Sequence, residues 1–168
     1  MNLTIAAVFV YAAAMILANL SVATFGPWVS LINAFLLIGL DLALRDWLHV
    51  RLKAWQMSAL IAGTGALTYA LNPAAGQIAI ASFVAFTVAL LVDWITFIKL
   101  RGSWMFRANG SNVAGAAVDS LTFPTLAFGE LMPDVVLAQF AAKIAGGAIW
   151  AWILTKTLRN QWCLNMSK

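Results

Sequence analysis

Two ionisable residues interrupt long apolar runs of the sequence, where a charge is costly. Asp119 lies in the run SNVAGAAVDSLTF, and Lys143 lies in the run AQFAAKIAGGAIWAW. A charged group at the centre of a bilayer costs roughly 2.5 to 3.5 kcal/mol on insertion scales, so such residues usually pair with one another or line a polar path. A carboxylate accepts hydrogen bonds and an ammonium only donates them, so the two together can recognise a small polar molecule.

The two charges lie at matching depths if both runs are spanning helices. Asp119 precedes the predicted end of its helix at residue 128 by nine residues, and Lys143 follows the predicted start of the next helix at residue 134 by nine. At a rise of 1.5 Å per residue each lies about 13 Å deep, so antiparallel neighbours would bring them together. Two interpretations stay open: a functional site, which the cost of burying charge favours, or an ion pair that only holds two helices together.

Further polar and aromatic residues follow helical spacing around this pair. Asn112 lies seven residues before Asp119 and Phe123 lies four residues after it, while Gln139 lies four residues before Lys143. Residues four or seven apart share one face of a helix. A carboxylate, two amides, an ammonium and an aromatic ring can hydrogen-bond and stack on a planar polar heterocycle, so the set predicts a binding site for one.

A second group of polar residues lies nearer the ends of the predicted spans. Asp41 and Arg45 are four apart in LIGLDLALRDW, so they either pair within one helix or add to the site. Asp93 is either a partner of Arg45 or part of an inner gate, and it is also a candidate proton carrier. Asn19 and Gln77 lie nearer the opposite side, where each is a candidate gating residue or a cap for a backbone kink.

The composition determines which elements must position these residues. Hydrophobic residues make up 63% of the 168 residues and charged residues only 10%, far outside the range of soluble globular proteins. A spanning helix needs about 20 mostly apolar residues, and six stretches qualify. The sequence therefore predicts an all-α protein with one integral membrane domain over residues 1–168, whose six transmembrane helices lie at about 3–24, 28–46, 55–72, 76–98, 111–128 and 134–156.

The charges in the connections predict an orientation. With six spans, the only charged residues on one side are the acidic Glu130 and Asp134, and the basic residues of the connections all lie on the other side. The positive-inside rule makes that basic side cytoplasmic, so both termini are predicted to face the cytoplasm. The basic residues on this side are Arg45, Arg51, Lys53, Lys99, Arg101, Arg107, Lys156, Arg159 and Lys168.

Several classes of chemistry are excluded by the residues that are scarce. His49 is the one histidine and Cys163 the one cysteine, so no disulfide framework and no metal site of several His and Cys ligands can be built. No Ser-His or Cys-His arrangement and no glycine-rich phosphate loop is present, so we expect neither an enzyme nor a cofactor. The net charge of +4 sets membrane topology, so we expect lipid and no nucleic acid as the surroundings.

Four runs of the chain resemble the queuosine-precursor transporter family, also called vitamin-uptake transporters. The runs are NAFLLIGLDLALRDWL, QIAIASFVAFTVALLVDWITFIKLR, SWMFRANGSNVAGAAVDSLTF and AQFAAKI, in matching order and spacing. The resemblance implies a six-helix protein of the bacterial inner membrane that imports 7-cyano-7-deazaguanine or 7-aminomethyl-7-deazaguanine, precursors of a modified tRNA base. The residues that match the family pattern are Asp41, Arg45, Ser82, Asp93, Asp119, Phe123 and Lys143.

The implied ligand suggests a role for each central residue. A deazaguanine carries a ring N–H beside an exocyclic amine, and one carboxylate can accept from both, so Asp119 is assigned that edge. Lys143, assisted by Gln139 or Asn112, would donate to the ring carbonyl. Phe123 or a tryptophan would stack on the base.

Other functions remain open at this stage. The chain could be the substrate-binding membrane subunit of an importer driven by a separate ATPase module, which would dock on the small residues Ala14 and Ala18 of the first helix. An integral-membrane enzyme or a structural assembly protein is a further alternative from a different class. Assembly into a homo-oligomer is compatible with all of these.

Overall fold

Helices form all of the regular secondary structure that the computed structural model describes, which covers residues 3–49, 51–102 and 104–157. No strand is present in these ranges, so the prediction of an all-α protein is confirmed. The six helices are α1 (Leu3–Phe25), α2 (Val29–Asn33, Ala34–Ile38 and Gly39–His49 in direct succession), α3 (Ala54–Leu71), α4 (Gly76–Lys99), α5 (Trp104–Phe128) and α6 (Pro133–Thr157).

The helices begin and end near the predicted positions, with one clear exception. α5 begins at Trp104, whereas the sequence placed its start at residue 111 and predicted a loop for the basic stretch before it. The turn lies at Gly102, whose φ is +133°, and Arg107 donates to the Phe97 carbonyl at 3.0 Å while its guanidinium covers the Phe97 ring. Because Arg107 finds these partners at the end of α4, the helix can continue through polar residues.

Among the described residues, three stretches have the length and hydropathy of a membrane span. α2 is divided by a π-helical segment, α3 has only 18 residues, and α5 carries several polar side chains. That all six helices cross the membrane, and that both termini face the cytoplasm, stays a prediction. Arg159, Cys163 and Lys168 lie outside the described residues. The stretches that could each cross a membrane by length and composition are Leu3–Phe25, Pro73–Lys99 and Pro133–Leu154.

Large apolar side chains cover the outside of the helices. Phe9 on α1, Ile80 on α4 and Leu137 on α6 are each 67% exposed. Soluble proteins rarely leave large contiguous apolar patches open to water, whereas lipid tails cover such a surface at no cost. The outer surface therefore indicates a membrane environment.

Tight glycine turns return the chain at one end of the protein. Gly26 after α1 and Gly129 after α5 have φ values of +80° and +78°, and their N–H groups donate to the carbonyls of Val22 and Thr125 at 2.9 and 3.0 Å. This left-handed closure suits glycine because it has no Cβ to clash. The starts of α2 and α6 therefore lie at the same end as the ends of α1 and α5.

Two closely packed helix pairs enclose the interior. α4 and α5 share the most extensive contact among the described helices, and a Cβ on Gly115 of α5 would lie 3.3 Å from the Ala89 carbonyl oxygen of α4. α2 and α6 approach as closely, because a Cβ on Gly39 or on Gly146 would overlap the facing backbone. We call these the α4–α5 pair and the α2–α6 pair. α1 packs against α2 and α3 beside them.

The small-residue face of α1 lies inside the protein. Ala14 and Ala18 are 4% and 6% exposed, and Asn33 of α2 donates to the Ala18 carbonyl at 3.1 Å. The expectation that a partner docks on this face is therefore wrong, because helices of the same chain already cover it. Small side chains here allow close packing within the chain.

Candidate functional site

A cavity between five of the six helices holds most of the buried polar side chains. The cavity is narrow, with a volume of about 50 Å³, which is below the usual range of small-molecule sites. α1, α2, α4, α5 and α6 all contribute lining residues, so the cavity lies between the α4–α5 pair and the α2–α6 pair. Its polar lining residues are Asn19, Ser30, Asn33, Asp41, Arg45, Ser82, Asp119, Gln139 and Lys143.

Lys143 is the centre of a hydrogen-bond network at this cavity. Its ammonium donates to Asp119 Oδ2 at 2.7 Å, to Ser120 Oγ at 3.1 Å and to Gln139 Oε1 at 3.3 Å. An ammonium has three hydrogens, so all of its donors are used. The Lys143 side chain is 3% exposed and that of Asp119 is 22% exposed. The pairing that equal depth predicted is present, and Asp119 is the more accessible partner.

The network continues from Lys143 to the start of α2. Gln139 Nε2 donates to Ser30 Oγ at 2.9 Å, and the Ser30 hydroxyl in turn donates to the Pro27 carbonyl. Gln139 is 1% exposed and Ser30 is 3% exposed, so water does not compete for these bonds. The network therefore joins the connection before α2, then α2, α6 and α5, through consecutive hydrogen bonds.

A second acid and base lie elsewhere along the cavity wall. Asp41 and Arg45 of α2 are 2% and 7% exposed. The Arg45 guanidinium carbon lies 5.1 Å from the centroid of the Phe86 ring on α4, within the range of a cation–π interaction. Tyr11 of α1 is fully buried within electrostatic reach of both charged residues. This region can offer positive charge and an aromatic face to a ligand.

Two of the helices that form this site are irregular beside it. Residues Ala34–Ile38 of α2 form a π-helical segment whose first and last residues line the cavity. In α5 the buried Pro124 has no N–H to bond to the Ser120 carbonyl, so the helix lacks that hydrogen bond next to Asp119. Departures from regular helix are frequent at binding sites in membrane proteins, where the altered backbone lines a cavity.

Most of the residues singled out from the sequence meet at this cavity. Six of the seven predicted binding residues line it, and so does one of the three predicted gating residues. Ser82, which entered only through the family resemblance, lines it as well. The predicted residues found in the lining are Asp41, Arg45, Asp119, Phe123, Gln139, Lys143 and Asn19.

Two predicted residues lie away from the cavity. Asn112 is half-buried and seven residues before Asp119, which is about 10 Å along α5, so the shared helix face does not place it in the lining. Gln77 is exposed and donates to the Leu126 carbonyl at 3.4 Å in a crevice on the outer surface. Helical spacing indicated a face for Asn112 but not its distance from the centre, and Gln77 was predicted only from its position nearer one side of the membrane.

Asp93 lies at the edge of the site rather than in it. It is half-buried on α4, one turn beyond the lining residue Ala89, and its Cβ would lie 3.4 Å from a Cβ on Gly115. Its Oδ1 atom is buried and accepts no hydrogen bond from the described residues. The role of Asp93 as a gate or a proton carrier stays a prediction.

Several residues of the site escaped the sequence analysis. Ser30 and Ser120 are short hydroxyl residues in apolar helices, which carry no signal of their own, although Pro124 four residues after Ser120 marks a break in the helix. Phe86 lies four residues after Ser82, so helical spacing from the family-matched serine could have identified it. Aromatic residues are common in membrane helices, and only packing distinguishes this one.

The site is built for hydrogen bonding. In the described part of the chain no group of three or more His, Cys, Asp or Glu residues could hold a metal ion. Asp119 uses one carboxylate oxygen for Lys143 and keeps further acceptor capacity. Phe123 and Phe86 line the same cavity and can stack on a flat ligand.

An apolar outer surface around a cavity with buried polar side chains is typical of a helical membrane protein. Residues 4–156 match the model of a family described as "Putative vitamin uptake transporter". The match spans nearly the whole chain, so the protein belongs to this transporter family. Neither the comparison with curated proteins nor the comparison with solved structures found a match.

Proposed function

We propose that the protein imports a deazapurine precursor of queuosine, 7-cyano-7-deazaguanine or 7-aminomethyl-7-deazaguanine, across the bacterial inner membrane. One observation carries the proposal: Asp119 lines a buried cavity with only one of its oxygens engaged by Lys143. A carboxylate that is held in place yet accessible suits the adjacent ring N–H and amine of a guanine-type base. The resemblance described above supplies the identity of that base.

The hydrogen bonds at the site favour Asp119 over Lys143 as the group that touches the base. Lys143 can donate to a ring carbonyl only by giving up one of its three present acceptors, and Gln139 at 3.3 Å is the most distant of them. Asp119 can accept hydrogen bonds from the base without losing its bond to Lys143. Phe123 lies four residues from Asp119 on the same helix, so it can stack on the bound ring.

Transport would follow from exposing this one cavity to each side of the membrane in turn. The cavity lies between the α4–α5 pair and the α2–α6 pair, each held together by close glycine contacts. Lys143 and Asp119 lie on opposite pairs, so movement of one pair against the other would stretch their bond. Rocking of two rigid bundles around a central site is a common mechanism in secondary transporters.

Uptake of the base tests the proposal. Cells that lack their own importer would receive the wild-type chain, Asp119→Asn, Lys143→Ala or the control Thr87→Ala, whose hydroxyl bonds only to the Phe83 carbonyl on the outer face of α4. We expect uptake by wild type and control and a loss of at least about tenfold in the other two, because a charged hydrogen bond is removed. Wild-type-like uptake by Asp119→Asn would overturn the assigned site.

Reconstitution of the purified chain into lipid vesicles separates the competing functions. We propose that the chain, alone or as a homo-oligomer, moves the base without an ATPase module and releases it unchanged. Uptake that requires an added ATPase would favour a binding subunit of a larger importer. A chemically altered base would instead identify an enzyme.

A further inference from the structure

The hydrogen bonds around Gln139 have only one consistent direction. The Pro27 carbonyl can only accept a hydrogen bond, so the Ser30 hydroxyl must donate its single hydrogen to it. Ser30 Oγ is then an acceptor toward Gln139, which must present its Nε2 amide hydrogens at 2.9 Å. The Pro27 carbonyl, acting through Ser30, therefore determines the orientation of the buried Gln139 amide.

The fixed amide determines what Lys143 meets on the other side. With Nε2 turned to Ser30, the Gln139 Oε1 atom faces the ammonium of Lys143 at 3.3 Å and accepts from it. If the amide turned over, two N–H donors would face an ammonium that can only donate, leaving a buried polar clash. Ser30 therefore acts on a charge that it does not touch.

The orientation of Lys143 in turn governs Asp119. With one hydrogen on Gln139 and one on Ser120, the ammonium points its third hydrogen at Asp119 Oδ2 at 2.7 Å. With three acceptors at fixed positions, only one orientation of the ammonium gives each of its hydrogens an acceptor. One carboxylate oxygen is thereby occupied, and the other stays available on a residue that lines the cavity.

We infer that Ser30 is a positioning residue: by fixing the orientation of the Gln139 amide, it directs the Lys143 ammonium to one Asp119 oxygen. The other Asp119 oxygen can then accept a hydrogen bond from the ligand. The inference deepens the proposed function and rests on it for the identity of the ligand. It assigns the site a chemical preference for a heterocycle whose bound edge presents N–H groups. A heterocycle with acceptor atoms at that edge is repelled by the carboxylate.

Ser30 variants distinguish positioning from packing. Ser30→Ala removes the hydroxyl and makes the side chain smaller, while Ser30→Thr keeps the hydroxyl and adds a methyl group to a position that is 3% exposed. A packing role predicts that Ser30→Thr is the more harmful change. A positioning role predicts that Ser30→Ala is the more harmful change and that Ser30→Thr restores function.

The first measurement needs no ligand. Solid-state NMR of the full chain in lipid, with nitrogen-15 lysine and carbon-13 aspartate, reports the contact between Lys143 Nζ and Asp119 Cγ, and its loss in Lys143→Met assigns the signal. We expect the contact in wild type, in Ser30→Thr and in Thr87→Ala, and a clear loss of intensity in Ser30→Ala. An unchanged contact in Ser30→Ala, or an equal loss in Ser30→Thr, would overturn the inference.

The second measurement uses 7-cyano-7-deazaguanine as the probe in calorimetric titration of the same purified variants. We expect Ser30→Ala to bind about tenfold more weakly than wild type and Ser30→Thr to stay within about twofold. Equal binding by Ser30→Ala would contradict the positioning role even if the NMR contact changed. If wild type does not bind the probe while the NMR contacts change as expected, the proposed identity of the ligand is wrong. The positioning role of Ser30 toward Gln139 and Lys143 is then still supported.

Discussion

The cavity has two cationic regions, and they connect the helix pairs in different ways. Lys143 of the α2–α6 pair makes directional hydrogen bonds to Asp119 and Ser120 of the α4–α5 pair. Arg45 of the same α2–α6 pair reaches the other pair through the face of Phe86, at 5.1 Å. A hydrogen bond weakens steeply as its distance and angle depart from the ideal, whereas a cation over a ring depends less on direction.

This difference suggests which region senses the ligand and which permits movement. A bound base would compete for Asp119, so the hydrogen-bonded connection is the one that a ligand can alter. The Arg45–Phe86 contact can persist while the pairs shift, keeping the cationic charge over the ring. The predictions below change one region at a time, in order of decreasing expected effect.

Loss of the cation at the hydrogen-bonded region should have the largest effect on stability. Lys143→Ala leaves the half-buried Asp119 carboxylate without its cation and the buried Gln139 and Ser120 without their donor, and we expect the free energy of unfolding to fall by about 3 to 5 kcal/mol. The measurement is reversible denaturation in mixed micelles. The double variant Asp119→Asn, Lys143→Met should regain most of that stability while binding no base, and a double variant as unstable as Lys143→Ala would contradict the pairing argument.

Separation of α2 from α6 should have the next largest effect and should disturb both regions. Gly146→Ala places a Cβ against the Phe35 carbonyl, so the helices must move apart at a cost of about 1 to 3 kcal/mol. We expect lower thermal stability and weaker base binding. Gly63→Ala on the open face of α3, where a Cβ meets nothing within 4 Å, is the matched control and should not destabilise the protein.

Replacement of the stacked cation should have a smaller effect. Arg45→Lys keeps the charge near Asp41 but loses the planar group over Phe86, so we expect a stability loss of about 0.5 to 2 kcal/mol. Uptake should fall less than in Lys143→Arg, whose bulkier planar group cannot repeat three tetrahedral hydrogen bonds. A larger loss in Arg45→Lys than in Lys143→Arg would reverse the comparison.

The smallest effect is expected at the residue that the structure places outside both regions. Gln77→Ala removes a side chain that is exposed and bonded only weakly to the Leu126 carbonyl at 3.4 Å. We expect a change in stability within about 0.5 kcal/mol and unchanged base binding. A strong loss of binding in Gln77→Ala would show that the outer surface takes part in recognition.

The sequence predicted correctly those features that depend on a single helix. Apolar length and helical spacing predicted six helices, and equal depth predicted that Asp119 and Lys143 meet, because rise per residue is the same in every helix. Sequence reasoning failed at the start of α5, because the basic stretch before residue 111 was predicted to be a loop. Arg107 is accommodated there by Phe97, a contact between different helices that no local pattern contains.

What the sequence by itself determined is the class of protein, the helices and the position of each charge along its helix, since these follow from hydropathy and a fixed helical rise. Only the tertiary structure decided that Ser30 and Phe86 join the site while Asn112 and Gln77 stay outside it. Helical periodicity determines which residues of one helix share a face. The rotation and partner of that face depend on close contacts such as Gly39 against Gly146, which arise only when the helices pack.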